Sequence, residues 1–267
     1  MTIDSESVQR VLSMAGNGDK EKSILLLHGL GVYGVSWAYQ VEALSKAGYA
    51  SLSPDLPGFG KSPAIGSWWS VEAAGAEMIR LLDREKFERT VLCGLSMGGA
   101  VALHMALTYP ERVNGLVLIN TFAALRPASI SEVVYFLKRG LWSFIVSPSS
   151  QAKLVAERIF PKPEQDQWRE FLIESIQVSD PRMYRQAMIA LGRFNVSRQL
   201  AELHLPVMVI TGKNDTTIPP VVQRKMAEQI PEAERYEIED AGHGVIVDHY
   251  DEVNQLLLKF MAQVYPS

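Results

Sequence analysis

The segment 94–99 (GLSMGG) contains the serine best placed to act as a nucleophile. It directly follows the apolar run 90–94, which is predicted to be a buried strand, and it opens a small-residue helix predicted over 98–108. A serine between a strand and a helix lies on a sharp turn, and flanking glycines are needed where the neighbouring backbone crowds that turn. This context predicts that Ser96 is a catalytic nucleophile; the alternative is a glycine-rich structural turn.

The five histidines are the candidates for the general base that a serine nucleophile needs. His243 follows the last predicted strand in a tight glycine-containing loop, which places it at the carboxyl edge of a sheet, where ligands bind in open α/β folds. His104 lies within the helix after Ser96, His204 just before a strand, and His249 after a hydrophobic turn. His28 is predicted to order the loop that follows the first strand. The sequence therefore favours His243 as the base.

Two aspartates are candidates for the acid that orients the histidine. Asp215 follows the predicted strand 207–211 and so also lies at a carboxyl end. Asp240 is only three residues from His243, too close in sequence to fold back onto the imidazole, and a solvated turn residue is the simpler interpretation. The strand 115–120 ends in Asn120 and is followed by Thr121, so no acid stands at its carboxyl end. Asp215 is therefore the predicted acid.

The turn 28–31 (HGLG) ends the first clear strand and can aim a backbone N–H group at a developing oxyanion. The N–H of Leu30 and the N–H of Met97 are the predicted pair. The second of these also benefits from its place at a helix N-terminus.

The elements that would position these residues alternate between short apolar runs and helical patterns. Near-continuous apolar runs indicate strands covered on both faces, hence a parallel sheet. The predicted strands are 23–28, 50–54, 90–94, 115–120, 207–211 and 234–238, and the predicted core helices are 71–86 (with Ser70 as N-cap), 98–108, 221–229 and 252–264. The fold class is therefore α/β, a doubly wound, mostly parallel sheet.

The segment 121–199 breaks the alternation, because it has no convincing strand. Its pattern predicts helices over about 129–145, 150–159, 164–177 and 181–194, punctuated by prolines. We therefore predict a core formed by 1–120 and 200–267, with 121–199 inserted as a helical lid.

Composition sets limits on the function. The chain has 267 residues, a net charge of −4 and a single cysteine, so nothing suggests nucleic-acid binding and no intrachain disulfide can form. Cys93 lies in an apolar run and is predicted to be a buried small hydrophobe. No Cys/His cluster has metal-ligand spacing. The polar, acidic N-terminus does not resemble a signal peptide and no apolar run could span a bilayer, so we expect a cytoplasmic protein without membrane association.

These motifs together resemble the α/β-hydrolase superfamily, specifically its small cofactor-free esterases, carbon–carbon bond hydrolases and haloperoxidase-like perhydrolases. The resemblance covers nearly the whole chain: the turn 28–31, the segment 55–62 (DLPGFGKS), the serine turn 94–99, the Asp215 loop ending in Ile218-Pro219, and 241–243 (AGH). The order Ser, Asp, His along the chain is also the order of this family. The resemblance implies the same fold, an ester-cleaving Ser–His–Asp triad, no metal or organic cofactor, and a lid over the site.

Departures from relatives narrow the expected chemistry. Relatives that open epoxides or remove halide carry aspartate where this chain has Ser96. Carbon–carbon bond hydrolases usually carry Asn before the serine and a bulky aromatic after the histidine, where this chain has Leu95 and Gly244. A carboxylesterase is therefore the main expectation. A carbon–carbon bond hydrolase or perhydrolase with the same triad is the alternative, and a slow-turnover small-molecule receptor that signals through its lid is an alternative of another class.

The substrate is expected to be a small molecule in an apolar pocket. Candidate wall residues, each of which could equally be core or lid packing, are Val32, Tyr33, Phe122, Leu125, Phe136, Trp142 and Val245. Between residues 121 and 200 there are eleven Lys or Arg and seven Asp or Glu, so the predicted lid carries a net charge of +4. Such a lid would attract an anionic substrate or an acidic acyl carrier; solvated faces of amphipathic helices are the alternative.

Overall fold

The computed structural model describes residues 18–64, 66–125 and 148–266. In these residues a six-stranded sheet forms, and every pair of neighbouring strands in it is parallel. The strands are β1 (Asp19–Leu27), β2 (Tyr49–Leu52), β3 (Thr90–Leu95), β4 (Val113–Ile119), β5 (Val207–Gly212) and β6 (Glu234–Ile238), arranged in the order β2-β1-β3-β4-β5-β6. Each of the six predicted strands is confirmed, with ends that differ by a few residues.

Helices cover the sheet, as the apolar strands require. Every residue of β3 and β5 is buried, and a strand without a solvent-facing side needs packing on both faces. The helices of the described core are α1 (Ala38–Lys46), α2 (Val71–Arg84), α3 (Met97–Thr108), α7 (Pro220–Ala227), the short turn α8 (Val245–Asp248) and α9 (Tyr250–Val264). Helix α2 packs against α3, and α1 packs against α9. The α/β fold class predicted from the sequence is confirmed.

Helix α2 begins where its capping residue predicts. The Ser70 hydroxyl accepts a hydrogen bond from the Ala73 N–H at 3.1 Å, which satisfies one of the donors left free in the first turn. Helix α1 was not predicted. Its N-cap Trp37 makes no side-chain capping bond, and the buried Gln40 interrupts its apolar face. Gln40 is accommodated because its amide donates to the Ile246 carbonyl oxygen at 2.9 Å.

The described part of the predicted lid, residues 148–199, consists mainly of three helices. They are α4 (Pro148–Ile159), α5 (Asp166–Val178) and α6 (Pro181–Arg193), which confirms the predicted helices at 150–159, 164–177 and 181–194. The predicted helix 129–145 lies outside the described residues. Within the described part of 121–199, extended pairing is limited to the isolated bridge between Ala124 and Asn195. The division into core and lid stays a prediction.

The helical segment 148–199 contacts loops at the carboxyl edge of the sheet. The Tyr33 ring, after β1, lies 5.8 Å from the Phe171 ring of α5, and Gly58 lies against Met183 of α6. Trp168 of α5 packs edge-on against Tyr39 of α1, with the ring centres 5.7 Å apart. The described helices include none that is both long and apolar enough to cross a lipid bilayer.

The strand order predicts a binding crevice between the carboxyl ends of β1 and β3. Strand β2 lies on one side of β1 and all later strands lie on the other, so the chain reverses its direction of winding at this point. In open parallel sheets ligands bind at such a reversal, beyond the carboxyl ends of the strands. The turn 28–31 follows β1 and Ser96 follows β3, so both predicted features meet at this crevice.

Candidate active site

The turn at Ser96 has a strained backbone that its neighbours enforce. Ser96 has φ 54° and ψ −113°, a conformation that a residue with a Cβ rarely adopts. A Cβ at Gly94 would lie 2.3 Å from the Gly98 backbone, and one at Gly98 would lie 2.0 Å from the Leu27 carbonyl oxygen. The Thr121 hydroxyl donates to the Ser96 carbonyl oxygen at 2.7 Å. The glycines thus let the turn pack tightly and hold the half-buried Ser96 side chain at the crevice.

His243 and Asp215 are brought together although 28 residues separate them. Nδ1 of His243 lies 2.8 Å from Oδ2 of Asp215, and the two residues are only 7% and 3% exposed. An ionised carboxylate can only accept hydrogen bonds, so the Nδ1 atom carries the proton in this pair. The Nε2 atom of a neutral imidazole is then left as a proton acceptor.

Asp215 is fixed by three further donors. Its Oδ1 atom accepts the N–H groups of Thr217 at 2.7 Å and Ile218 at 2.9 Å, and its Oδ2 atom accepts the side-chain amide of the buried Gln223 at 3.1 Å. The role of Gln223 was not predicted from the sequence. Its only local signal is a polar residue on the otherwise apolar inner face of α7, eight residues after Asp215.

Asn120 is a second buried residue whose role was not predicted from the sequence. Its amide nitrogen donates to the carbonyl oxygens of Gly242 at 2.9 Å and His243 at 3.1 Å, and its Oδ1 atom accepts the Gly212 N–H at 2.8 Å. Asn120 has φ 44°, a conformation that Asn tolerates better than most residues. The position after β4, where a triad acid could have stood, therefore holds an amide that links β4, the end of β5 and the histidine loop.

The turn 28–31 lies beside Ser96. A Cβ on Gly29 would be 3.7 Å from the Ser96 Cβ. His28 is fully buried and accepts the Leu56 N–H at Nε2 (2.8 Å), while its Nδ1 atom lies 2.8 Å from the Gly29 carbonyl oxygen, so Nδ1 is the protonated nitrogen. Burial lowers the pKa of His28 to about 4. A neutral His28 thus orders this turn, as the sequence predicts.

The two predicted oxyanion donors lie at the crevice. Met97 is the first residue of α3, where an N–H group has no partner within the helix. Leu30 is half-buried in the turn, and its N–H group has no backbone acceptor in the described residues. Among the described residues, the Ser96 hydroxyl makes no hydrogen bond to His243 or to any other group. Catalytic hydrogen bonds often tighten only when substrate is bound.

The rival histidines and the rival aspartate lie away from this constellation. His104 is on α3 beside Gly75, with its pKa lowered by burial; His204 is exposed; and His249 pairs with Asp248 at 2.9 Å. Asp240 is exposed on its turn. Cys93 is buried in β3, and burial raises the pKa of its thiol. No group of three or more potential metal ligands is found among the described residues.

The predicted wall residues occupy different environments. Val32, Tyr33 and Leu125 are half-buried, whereas Phe122 and Val245 are fully buried. The Phe122 ring lies 6.4 Å from that of Phe194, so it contributes to packing between β4 and the helical segment. Phe136 and Trp142 lie outside the described residues. A surface groove of about 700 Å³ between 58–64 and 178–185 is lined by none of these residues.

Comparison with known proteins identifies relatives that match most of the chain. The model of the alpha/beta hydrolase family matches residues 24–256. A 2-hydroxy-6-oxononadienedioate/2-hydroxy-6-oxononatrienedioate hydrolase of Pseudomonas sp. is 29% identical, over 93% of this chain and 90% of its own length. The enol-lactonase of Burkholderia xenovorans LB400 is 25% identical with a TM-score of 0.82, covering 92% of both chains. A thermophilic esterase of Thermogutta terrifontis, solved with malate bound, is 27% identical with a TM-score of 0.81, covering 95% of this chain and 93% of the esterase.

Proposed function

This chain belongs to the alpha/beta hydrolase family, and we propose that it is a serine hydrolase that cleaves carboxylic esters, open or cyclic, through an acyl-enzyme. Ser96 is the nucleophile, His243 the base and Asp215 the orienting acid. The observation that carries this proposal is the 2.8 Å contact between His243 and Asp215, at the same sheet edge as the strained Ser96 turn. The similarity to an esterase and an enol-lactonase supports ester cleavage within this family.

In the first half of the reaction, Ser96 Oγ attacks the ester carbonyl carbon. His243 Nε2 takes the hydroxyl proton, and Asp215 stabilises the imidazolium that forms. The N–H groups of Leu30 and Met97 hold the oxyanion of the tetrahedral intermediate. When this intermediate collapses, the bond between the carbonyl carbon and the alcohol oxygen breaks, and His243 gives its proton to the leaving alcohol.

In the second half, water takes the place of the alcohol. His243 removes a proton from that water as its oxygen attacks the acyl carbon, and collapse of the second intermediate returns the proton to Ser96 Oγ and releases the carboxylic acid. The chain's own residues supply every proton transfer in this scheme.

We propose further that the preferred ester carries a carboxylate. The predicted lid, 121–199, has a net charge of +4, whereas the whole chain has −4. One relative is named for a dienedioate and another was solved with malate bound, and both compounds are dicarboxylates. A positive field over the crevice would raise the local concentration of an anionic substrate, and an acidic acyl carrier would exploit the same field.

Hydrolysis of a carbon–carbon bond is a second candidate. It is favoured by the 29% identity to the dienedioate hydrolase along nearly the whole of both chains. The same triad and oxyanion donors would serve, because such a substrate also presents a carbonyl carbon. The residues Leu95 and Gly244, which depart from the pattern usual in those enzymes, weigh against it.

The test is a panel of p-nitrophenyl esters from acetate to long acyl chains, with ring-cleavage dienoates and peracid formation assayed in parallel. Fast release with a chain-length optimum, lowered by about 10⁴-fold or more in Ser96→Ala, is expected. Ser96-dependent cleavage of the dienoates alone would replace the ester proposal with the carbon–carbon one. Very slow turnover of all substrates by a folded protein would favour the receptor alternative, and activity retained in Ser96→Ala would refute the serine mechanism.

The charge proposal has its own control. The p-nitrophenyl monoester of glutaric acid is compared with p-nitrophenyl butyrate at low and high salt. We expect kcat/KM for the charged ester to fall steeply with salt while that for the neutral ester changes little. An equal salt dependence for the two esters contradicts a positive field at the site.

A further inference from the structure

Gly244, directly after His243, lies against an aromatic ring from the helical segment. A Cβ at position 244 would be 2.2 Å from Cε1 and 2.4 Å from Cζ of Phe160. The Gly244 backbone, with φ −83° and ψ 25°, is open to any L-residue. Glycine is therefore required here by the Phe160 ring and not by the backbone conformation.

Burial of its side chain and hydrogen bonds of its backbone fix the position of Phe160. Its side chain is only 5% exposed, and its N–H donates to the Ala156 carbonyl oxygen at 2.8 Å, continuing α4 by one residue. Its own carbonyl oxygen accepts from the Arg169 guanidinium at 2.6 Å, and the same nitrogen reaches the Lys162 carbonyl oxygen at 2.8 Å. Arg169 thus fixes the backbone of the turn between α4 and α5 that carries Phe160, and burial of the side chain restricts the ring to its place against Gly244.

The residues just before Phe160 touch both loops of the proposed triad. A Cβ at Gly242 would lie 3.3 Å from the Ile159 carbonyl oxygen, and the Arg158 guanidinium donates to the Thr216 carbonyl oxygen. Gly242 precedes His243, and Thr216 follows Asp215. The short segment 158–160 therefore contacts both the loop that carries His243 and the loop that carries Asp215.

We propose that Phe160 is a positioning residue for His243: its ring packs on Gly244 and sets where the imidazole stands relative to Ser96. This rests on the proposed function, since it assigns a support to the base of that triad. Asn120 holds the same loop from the side of the sheet through the Gly242 and His243 carbonyl oxygens. The histidine loop is thus held on one side by the Asn120 amide and contacted on the other by the Phe160 ring.

The test is a double-substitution cycle of Gly244→Ala, Phe160→Ala and the two combined, measured as kcat and KM on the best p-nitrophenyl ester. Gly244→Ala should lower kcat by about 100-fold with little change in KM, because the new methyl group drives the histidine loop away from the ring. In the Phe160→Ala background the ring is gone, and Gly244→Ala should change kcat by less than about threefold. Equal losses in both backgrounds, or no loss in either, overturn the proposal.

A matched control separates this effect from any glycine-to-alanine change. Gly192 lies in α6, and a Cβ there would meet nothing within 4 Å, so Gly192→Ala should leave kcat unchanged. Circular dichroism gives the folded fraction used to normalise each kcat. If Phe160→Ala does not fold, Phe160→Leu replaces it in the cycle; the smaller side chain should still rescue part of the Gly244→Ala loss, and no rescue overturns the proposal.

A fluorophosphonate probe distinguishes failure of this inference from failure of the proposed function. The probe reports the rate at which Ser96 is modified and does not depend on the natural substrate. A wild-type protein that neither reacts with the probe nor cleaves esters refutes the serine mechanism. If the wild-type protein reacts with the probe and the Gly244→Ala variant reacts equally fast, the positioning role of Phe160 is refuted while the serine mechanism stands.

Discussion

The side-chain amide nitrogen of Asn120 lies 3.1 Å from the carbonyl oxygen of His243, so a buried residue at the end of β4 holds the loop that follows β6. The contact joins positions that are 123 residues apart. Because Asn120 is completely buried and also binds Gly212, its amide has no solvent to replace a lost partner.

Asn120→Asp should damage both stability and turnover. A carboxylate keeps the size of the amide but cannot donate to the two carbonyl oxygens that Asn120 now satisfies, and it would repel them. We expect the free energy of unfolding to fall by about 3 kcal/mol and kcat to fall by about 100-fold. Urea unfolding and ester hydrolysis measure the two effects.

The control for this substitution is Asn114→Asp. Asn114 lies at the other end of the same strand, half-buried, and its amide donates to the Tyr265 hydroxyl at 3.0 Å. The Asn114→Asp substitution should leave kcat unchanged. Wild-type kcat in Asn120→Asp would show that Asn120 does not support the histidine loop.

Asp215→Asn should lower kcat by about 10⁴-fold, because an amide nitrogen facing Nδ1 would favour the wrong tautomer of His243. Asp240→Asn removes the nearer, exposed acid and should change kcat by no more than about twofold. Steady-state kinetics of the two variants decide between the aspartates. A large loss in Asp240→Asn with activity preserved in Asp215→Asn would reverse the assignment.

Ser96→Gly should be more stable than Ser96→Ala, although neither has a nucleophile. The backbone at φ 54° strains a residue with a Cβ and does not strain glycine. Part of this gain is offset by the greater flexibility of glycine in the unfolded chain, which leaves a difference of about 1 kcal/mol. Thermal and urea unfolding measure it. Equal stability of the two variants would mean that the turn stores no such strain.

Acid should destabilise the fold through His28. Unfolded, this histidine takes up a proton below its ordinary pKa of 6.5, whereas burial holds its pKa at about 4 in the folded chain. Stability is therefore complete above pH 6.5 and is lost as the pH falls toward 4, by about 2 kcal/mol between pH 7.5 and pH 5. Unfolding free energies at these two pH values should differ less in His28→Gln than in the wild type.

His104→Gln is the comparison for that experiment. The pKa of His104 is also lowered by burial, but its side chain is only half-buried, so its removal should reduce the pH dependence by a smaller amount. A pH dependence unchanged in His28→Gln would contradict the neutral, buried state of His28.

The sheet was predictable because its signals are local. Runs such as 115–120 are apolar at nearly every position, as a strand covered on both faces must be, and all six strands appear where such runs stand. The start of α2 was predictable for the same reason, since Ser70 lies next to the helix that it caps. Helix α1 was missed because its start lacks a side-chain cap and the buried Gln40 takes the place of an apolar residue.

By itself the sequence determined the fold class, the family and a short list of chemically able residues, because strand runs, helix caps and the serine turn are all patterns of near neighbours. The tertiary structure decided which distant residues support them. Asn120, Gln223 and Phe160 each contact a loop that only folding brings near them. The sequence around a polar or aromatic residue does not indicate which distant residue it will contact. Contacts of this kind depend on how the strand ends and helices pack together, and that packing is a property of the whole chain.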